Sequence, residues 1–235
     1  MRSWFNKYLD ALSHMFYPQL CLACAEQEVS GKQLFCVACD IELPRTDFHL
    51  HRDNPFTERL KGRFAINGAT SLLYFGKGGA PQKLMHQLKY QGKTDIGLTL
   101  GKFLGERIKD ISPYKELDLI IPIPLHPVKE RKRGYNQSAF LANGIGTAMQ
   151  KTVLEHGLKR NKNTETQTHM GKLERIQNLS GVFEIDRKYD LTNKHVLLVD
   201  DVLTTGATLE SAALVLLQVP GLTLSLATLA FAEHW

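Results

Sequence analysis

The chain has 235 residues, of which 43% are hydrophobic and 23% are charged, and its formal net charge is +5. This composition is ordinary for a soluble globular protein, and it excludes a chain too polar to form a sizeable core. The positive charge is concentrated between His126 and Asn163, where eight Lys and Arg residues stand against two Glu residues. The concentration suits an anionic ligand such as pyrophosphate or a nucleic-acid backbone, with a solvated basic face as the alternative.

The amino-terminal stretch carries apolar side chains at helical spacing, interrupted by Lys7 and Asp10. The interruption is not compatible with the hydrophobic region of a signal peptide. We therefore expect an amphipathic helix docked on its own domain, and we expect the protein to be cytoplasmic. The stripe consists of Trp4, Phe5, Tyr8, Leu9, Leu12 and Phe16.

Four cysteines form two pairs, Cys21 with Cys24 and Cys36 with Cys39, separated by eleven residues. Two such CxxC pairs can close a tetrahedral zinc site, with a turn near Gly31 that brings them together. Disulfides are the alternative, and a reducing cytoplasm disfavours them. We predict a structural zinc module over residues 1–45, which is too small to hold a core unaided.

Residues 46–66 are polar and rich in turn formers, and we interpret them as a linker to a second domain, residues 67–235. Lys89 in this domain is a candidate ligand contact if it lies near the Thr/Gly loop that follows Asp201. The predicted elements before that loop are a strand over Ala69 to Phe75, helices over Pro81 to Tyr90 and Ile96 to Ile111, and strands over Leu117 to Ile121 and Val153 to Lys159.

The segment from Val196 to Thr208 reads VLLVDDVLTTGAT. Its four leading apolar residues predict a central parallel strand that is buried on both faces. Asp200 and Asp201 follow, and then a Thr/Gly loop precedes a helical pattern. Free N–H groups at a helix start attract phosphate, and the carboxylates suit sugar hydroxyls or Mg²⁺. An ordinary strand-to-helix corner with capping residues is the alternative.

This segment resembles the 5-phosphoribosyl 1-pyrophosphate motif of the type I phosphoribosyltransferases. The resemblance implies an α/β fold with a parallel sheet flanked by helices, a phosphoribosyl pyrophosphate ligand and an accompanying Mg²⁺. It also implies that the catalytic carboxylates Asp200 and Asp201 face the ribose hydroxyls. The 5-phosphate would be held by Val202, Leu203, Thr204, Thr205, Gly206, Ala207 and Thr208.

The uncharged stretch from Ser211 to Ala232 is about as long as a membrane span. Gln218, Pro220 and Gly221 interrupt it, so we predict a helix, a turn and a strand from Leu222 to Ala230 and no membrane span.

A second stretch, from Ile121 to Ala142, reads IPIPLHPVKERKRGYNQSAFLA. It resembles the PLHxxRxxxRGFNQ signature of the ComF family of competence proteins, with Lys129 in place of a usual arginine and Tyr135 in place of phenylalanine. We expect Arg131, Lys132 and Arg133 to contact pyrophosphate or DNA. The matching residues are Pro124, Leu125, His126, Arg133, Gly134, Asn136 and Gln137.

The stretch from Arg160 to Phe183 lacks apolar periodicity in its first half, and its Arg, Thr, Gln and Asn residues are similar to a third ComF block. In type I enzymes a mobile loop closes over the ligand, so we interpret this stretch as a lid, with Arg160 as a further contact to pyrophosphate or DNA.

The ComF resemblance implies a phosphoribosyl-pyrophosphate-binding protein that acts in DNA uptake, with single-stranded DNA and a competence helicase as possible partners. The alternative is an active phosphoribosyltransferase of nucleotide metabolism with no DNA role. The sequence leaves open whether the protein is an enzyme.

Overall fold

The computed structural model describes residues 19–31, 33–76, 79–90, 94–160 and 182–233. Two predictions fall outside these ranges. They are the amino-terminal helix and the lid, of which only Arg160, Val182 and Phe183 are described.

A five-stranded parallel sheet forms the centre of the molecule, in the order β1-β7-β6-β2-β3. The strand β6 lies in the middle of the sheet and pairs in parallel with β7 and β2, which confirms the predicted central strand. Two further strands, β4 and β5, pair antiparallel with each other. The strands are β1 Gly68–Phe75, β2 Leu119–Pro122, β3 Thr152–Val153, β4 Leu158–Arg160, β5 Phe183–Ile185, β6 His195–Leu203 and β7 Thr223–Ala232.

Helices cover both faces of the sheet, which explains why its central strand is continuously apolar. Val196 and Leu198 belong to one hydrophobic cluster, whereas Leu197 and Val199 belong to the other. The helices of the described residues are α1 Val37–Glu42, α2 Pro55–Leu60, α3 Gly79–Tyr90, α4 Thr94–Ile108, α5 Pro127–Arg133, α6 Gln137–Met149 and α7 Ala207–Leu216, with short 3₁₀ helices at Phe48–Leu50 and Tyr114–Glu116.

Helices α4 and α6 approach each other closely because glycines lie where they cross. A Cβ atom on Gly101 would lie 2.2 Å from the backbone oxygen of Leu141, and one on Gly144 would lie 2.2 Å from that of Leu98. The contact sets the position of α6, whose first turn reaches the Asp200 carboxylate of β6 through Ser138.

The segment that we interpreted as a linker contributes to the core. Phe48, Phe56 and Leu60 are at most 2% exposed. Phe48 packs edge-on against Tyr74, with ring centroids 5.3 Å apart. The buried Asn54 caps α2 by accepting hydrogen bonds from the backbone N–H groups of the first turn.

The predicted strand over Val153 to Lys159 is wrong. The structure has two short strands, β3 and β4, separated by a turn in which the N–H of Gly157 donates to the carbonyl of Leu154 at 3.0 Å. Glu155 and His156 are exposed in this turn, so the segment is not a continuous apolar strand.

The long uncharged stretch near the carboxyl end forms α7, a turn and β7, as predicted. Among the described helices, none has both the length and the hydropathy needed to cross a membrane.

Candidate functional site

The corner between β6 and α7 places the two carboxylates next to a short loop. β6 continues to Leu203, so Asp200 and Asp201 lie on the strand itself and the loop is reduced to Thr204, Thr205 and Gly206. Gly206 is the N-cap of α7, with φ of 83°, and supplies no side chain to the helix start. The N–H of Ala207 donates to the hydroxyl of Thr205 at 3.4 Å, and the N–H groups that follow it in the first turn of α7 remain suited to an anionic ligand.

Two arginines of the predicted linker orient this loop. The Arg59 guanidinium donates to the carbonyl of Thr204 at 3.0 Å, and that of Arg63 donates to the carbonyl of Thr205 at 2.8 Å. In a planar trans peptide the C=O and the following N–H point in opposite directions. The N–H groups of Thr205 and Gly206 consequently point away from the two arginines, as donors to an anion would.

The backbone at Gly206 is tightly enclosed. A Cβ atom there would lie 2.6 Å from Cδ2 of Leu60, in addition to the strain of a left-handed φ. We expect Gly206→Ala to lower the free energy of unfolding by about 2–4 kcal/mol, as measured by urea denaturation. Gly134→Ala is the control, because its φ is 82° and nothing lies within 4 Å of its Cβ position. An equal loss for both variants would show that packing against Leu60 is unimportant.

Asp200 lies between α6 and its neighbour on the strand. Its Oδ1 accepts hydrogen bonds from the hydroxyl of Ser138 at 3.1 Å and from the backbone N–H of Asp201 at 2.8 Å. Burial and the Asp201 carboxylate raise the pKa of Asp200 to about 7, although these hydrogen bonds and Lys89 oppose the shift. The carboxyl group of Asp200 therefore loses its proton near neutral pH.

The raised pKa of Asp200 predicts a pH-dependent effect of Asp200→Asn on stability. A carboxyl with a raised folded pKa stabilises the fold when it is protonated, and this contribution is lost as the pH rises towards 7. Wild type and variant should be equally stable near pH 4, whereas the variant should be more stable above pH 7 by up to a few kcal/mol. Urea denaturation across this range measures the difference. A constant difference would contradict the assigned environment.

Asp201 forms an ion pair that reaches across to another helix. Its Oδ2 lies 2.9 Å from Nζ of Lys89, near the end of α3, and the two side chains are 15% and 23% exposed. The structure thus places Lys89 next to the loop that follows Asp201, as its role as a candidate ligand contact requires.

A cleft of about 790 Å³ lies between the ComF-like stretch and β4. Arg160 lines it, and its guanidinium carbon lies 5.3 Å from the centroid of the Phe183 ring. Burial lowers the pKa of Arg160, and the Asp200 carboxylate opposes the shift. The helix α5 carries Arg131, Lys132 and Arg133, but the residues of α5 that line the cleft are Pro127 and Glu130. Among the described residues, only Arg160 of the four predicted cationic contacts therefore lines this cleft.

The four cysteines converge as predicted. The Sγ atoms of Cys21, Cys24, Cys36 and Cys39 all lie within 4.8 Å of one another, and none is in a disulfide. Burial opposes ionisation of Cys21, but hydrogen bonds from the backbone N–H groups of Cys24, Cys36 and Ala23 lower its pKa to about 6. A thiolate is therefore available, and the cluster can hold a metal ion such as zinc.

Comparison with known proteins agrees with this geometry. The model of the phosphoribosyl transferase domain matches residues 132–234. Competence protein F of Haemophilus influenzae is 35% identical over 54% of this chain and 57% of its own length. Competence protein ComFC of Bacillus subtilis is 29% identical over 58% of this chain and 53% of its own length. The chain therefore carries a phosphoribosyltransferase-like domain and is similar to the ComF family of competence proteins.

The chain also matches the DNA utilization protein YhgH of Shigella flexneri, at 28% identity over 92% of this chain and 90% of that protein. The chain thus spans a little over half the length of the two competence proteins and nine tenths of YhgH. The match with the domain model and the parallel sheet confirm the predicted fold class.

Three polar residues at this corner were missed in the sequence analysis. Ser138 directly follows the Asn136–Gln137 part of the signature, at the start of α6. Arg59 and Arg63 are four residues apart, which places them on one side of α2 and the turn after it. Their spacing, together with the Asn54–Pro55 helix start, was the available signal.

Proposed function

We propose that this protein binds 5-phosphoribosyl 1-pyrophosphate together with Mg²⁺ and uses this site in DNA uptake or utilisation. The observation that carries the proposal is the loop from Thr204 to Gly206. Its carbonyls are held by Arg59 and Arg63, its N–H groups point the other way, and two carboxylates stand beside it. A phosphate and a set of sugar hydroxyls together match this arrangement.

The roles of the residues follow from their hydrogen bonds. The loop and the first turn of α7 bind the 5-phosphate, with the hydroxyls of Thr204, Thr205 and Thr208 as further donors. Asp200 keeps Oδ2 for a ribose hydroxyl, because the hydrogen bonds from Ser138 and from the N–H of Asp201 both go to Oδ1. Arg160 faces the pyrophosphate from the cleft.

Mg²⁺ fits this site as part of the ligand complex. It prefers oxygen ligands and is often bound through substrate phosphates with only one or two carboxylates. When bound, Mg²⁺ neutralises charge on the pyrophosphate group. The protein contributes Asp200 and Asp201, which hold the sugar to which that group is attached.

The DNA part of the proposal is supported by the relatives, whose names refer to competence and DNA utilization. Helix α5 adds a physical basis, since Lys129, Arg131 and Lys132 are exposed on it. We assign to this basic helix the contact with single-stranded DNA, and we expect a competence helicase to act on the same strand.

Thermal unfolding tests the ligand. Phosphoribosyl pyrophosphate with Mg²⁺ should raise the melting temperature by several degrees, whereas ribose 5-phosphate or pyrophosphate alone should raise it less. Equal stabilisation by pyrophosphate alone would contradict a phosphoribosyl site. Release of pyrophosphate when nucleobases are added would identify the alternative, a transferase of nucleotide metabolism.

Salt dependence tests the DNA contact. The triple variant Arg131→Ala, Lys132→Ala, Arg133→Ala should weaken binding of a single-stranded oligonucleotide and reduce the slope of log K against log salt by about 2. The control removes three lysines elsewhere, as Lys61→Ala, Lys109→Ala, Lys188→Ala. An unchanged slope in the first variant, measured by fluorescence anisotropy, would exclude this helix.

A further inference from the structure

The corner between β6 and α7, which holds Asp200 and Asp201, also contains a cationic side chain. Lys89 Nζ lies 2.9 Å from Oδ2 of Asp201, and both side chains are mostly shielded from solvent. Salt screens a shielded pair less than an exposed one. The negative charge of Asp201 is therefore already compensated by Lys89 in the ligand-free protein.

Helix α3 holds Lys89 in this position from two sides. Leu84 and Leu88 of α3 are fully buried in the hydrophobic cluster that includes the cysteine module. At the end of the helix, the carbonyl of Leu88 accepts a hydrogen bond of 2.6 Å from the hydroxyl of Tyr135. Tyr135 lies just before α6, which carries Ser138. The same segment thus positions the neighbours of both carboxylates.

The charges in the described part of the corner nearly balance. Asp201 is paired with Lys89, and Asp200 interacts electrostatically with Arg160 of β4. A divalent cation bound to Asp201 would lie about 2.0–2.6 Å from the carboxylate oxygen, and hence within a few ångströms of the ammonium group. Repulsion at such a distance is strong. An anionic sugar phosphate, by contrast, meets little net negative charge.

We propose that Lys89 is a positioning residue that keeps free divalent cations off Asp201 and so reserves the corner for an anionic sugar phosphate that brings its own metal. The identity of that ligand rests on the proposed function. The exclusion of free cations does not, since it concerns the ligand-free protein.

Binding of Mn²⁺ alone, followed by electron paramagnetic resonance, tests the exclusion. Lys89→Met should bind Mn²⁺ about tenfold more tightly than wild type. Lys83→Met removes the same charge from an exposed position of the same helix and should behave as wild type. The double variant Lys89→Met, Asp201→Asn should lose the added binding. Unchanged Mn²⁺ affinity in a Lys89→Met protein with wild-type thermal unfolding would overturn the proposal.

Ligand binding provides the second readout. Lys89→Met should bind phosphoribosyl pyrophosphate about tenfold more weakly and require more Mg²⁺ for half-maximal binding, whereas Lys83→Met should do neither. Unchanged ligand affinity in Lys89→Met would overturn the second half of the proposal. If wild type itself binds no phosphoribosyl pyrophosphate, the proposed function fails, and the Mn²⁺ titration still decides the role of Lys89.

Discussion

Arg59→Met is expected to destabilise the protein by about 2–4 kcal/mol and to weaken binding of the phosphate ligand at least tenfold. The Arg59 guanidinium donates to the carbonyls of Thr204, Ala232 and Glu233, and it lies 4.1 Å from the centroid of the Phe231 ring. One side chain therefore joins the loop from Thr204 to Gly206 to the end of β7. Methionine retains the contact with Phe231 but leaves the carbonyls without this donor.

Urea denaturation and calorimetric titration measure the two effects. Arg52→Met is the matched control, because Arg52 lies on the preceding turn and is exposed. If Arg59→Met lost stability but bound the ligand with unchanged affinity, the orientation of the loop would not depend on Arg59, and the anion site would need another explanation.

Loss of the metal site is expected to have the largest effect on the fold. Structural zinc sites contribute about 10–16 kcal/mol of apparent binding free energy in small zinc-finger peptides. Cys21, Ala23 and Phe35 share a hydrophobic cluster with Leu84 of α3 and Leu100 of α4. Cys36→Ser combined with Cys39→Ser should therefore unfold the cysteine module first and lower the melting temperature of the remainder.

Elemental analysis and thermal unfolding test this expectation together. The protein purified in reducing buffer should contain one zinc per chain, and a chelator should reproduce the effect of the double variant. Ser30→Ala, at an exposed position of the turn between the two cysteine pairs, is the control. A zinc content near zero with unchanged stability would contradict the metal site.

The sequence was most informative where local pattern and chemistry coincide. The apolar run before Asp200 predicted the central strand, and the two CxxC pairs predicted the clustering of four thiols. Both depend on short-range spacing, which a sequence displays directly. The fold class followed from the resemblance of the Val196 to Thr208 segment to the type I phosphoribosyltransferase motif.

The contacts that complete the site could not be predicted in the same way. Arg59 lies 145 residues from the carbonyl of Thr204 that it binds, and no local spacing relates the two. Lys89 and Asp201 are likewise brought together only by the packing of α3 beside the sheet. The burial of Phe48, Phe56 and Leu60 could not be predicted either, because these residues are widely spaced in the sequence and form a cluster only in three dimensions.

The measurement that tests the central proposal most directly is calorimetric titration with phosphoribosyl pyrophosphate and Mg²⁺, comparing wild type with Asp200→Asn, Asp201→Asn. We expect measurable Mg²⁺-dependent binding by the wild type and at least a hundredfold loss in the double variant, with thermal unfolding showing that the variant is folded. Equal affinity for the two proteins would contradict a phosphoribosyl site at this corner.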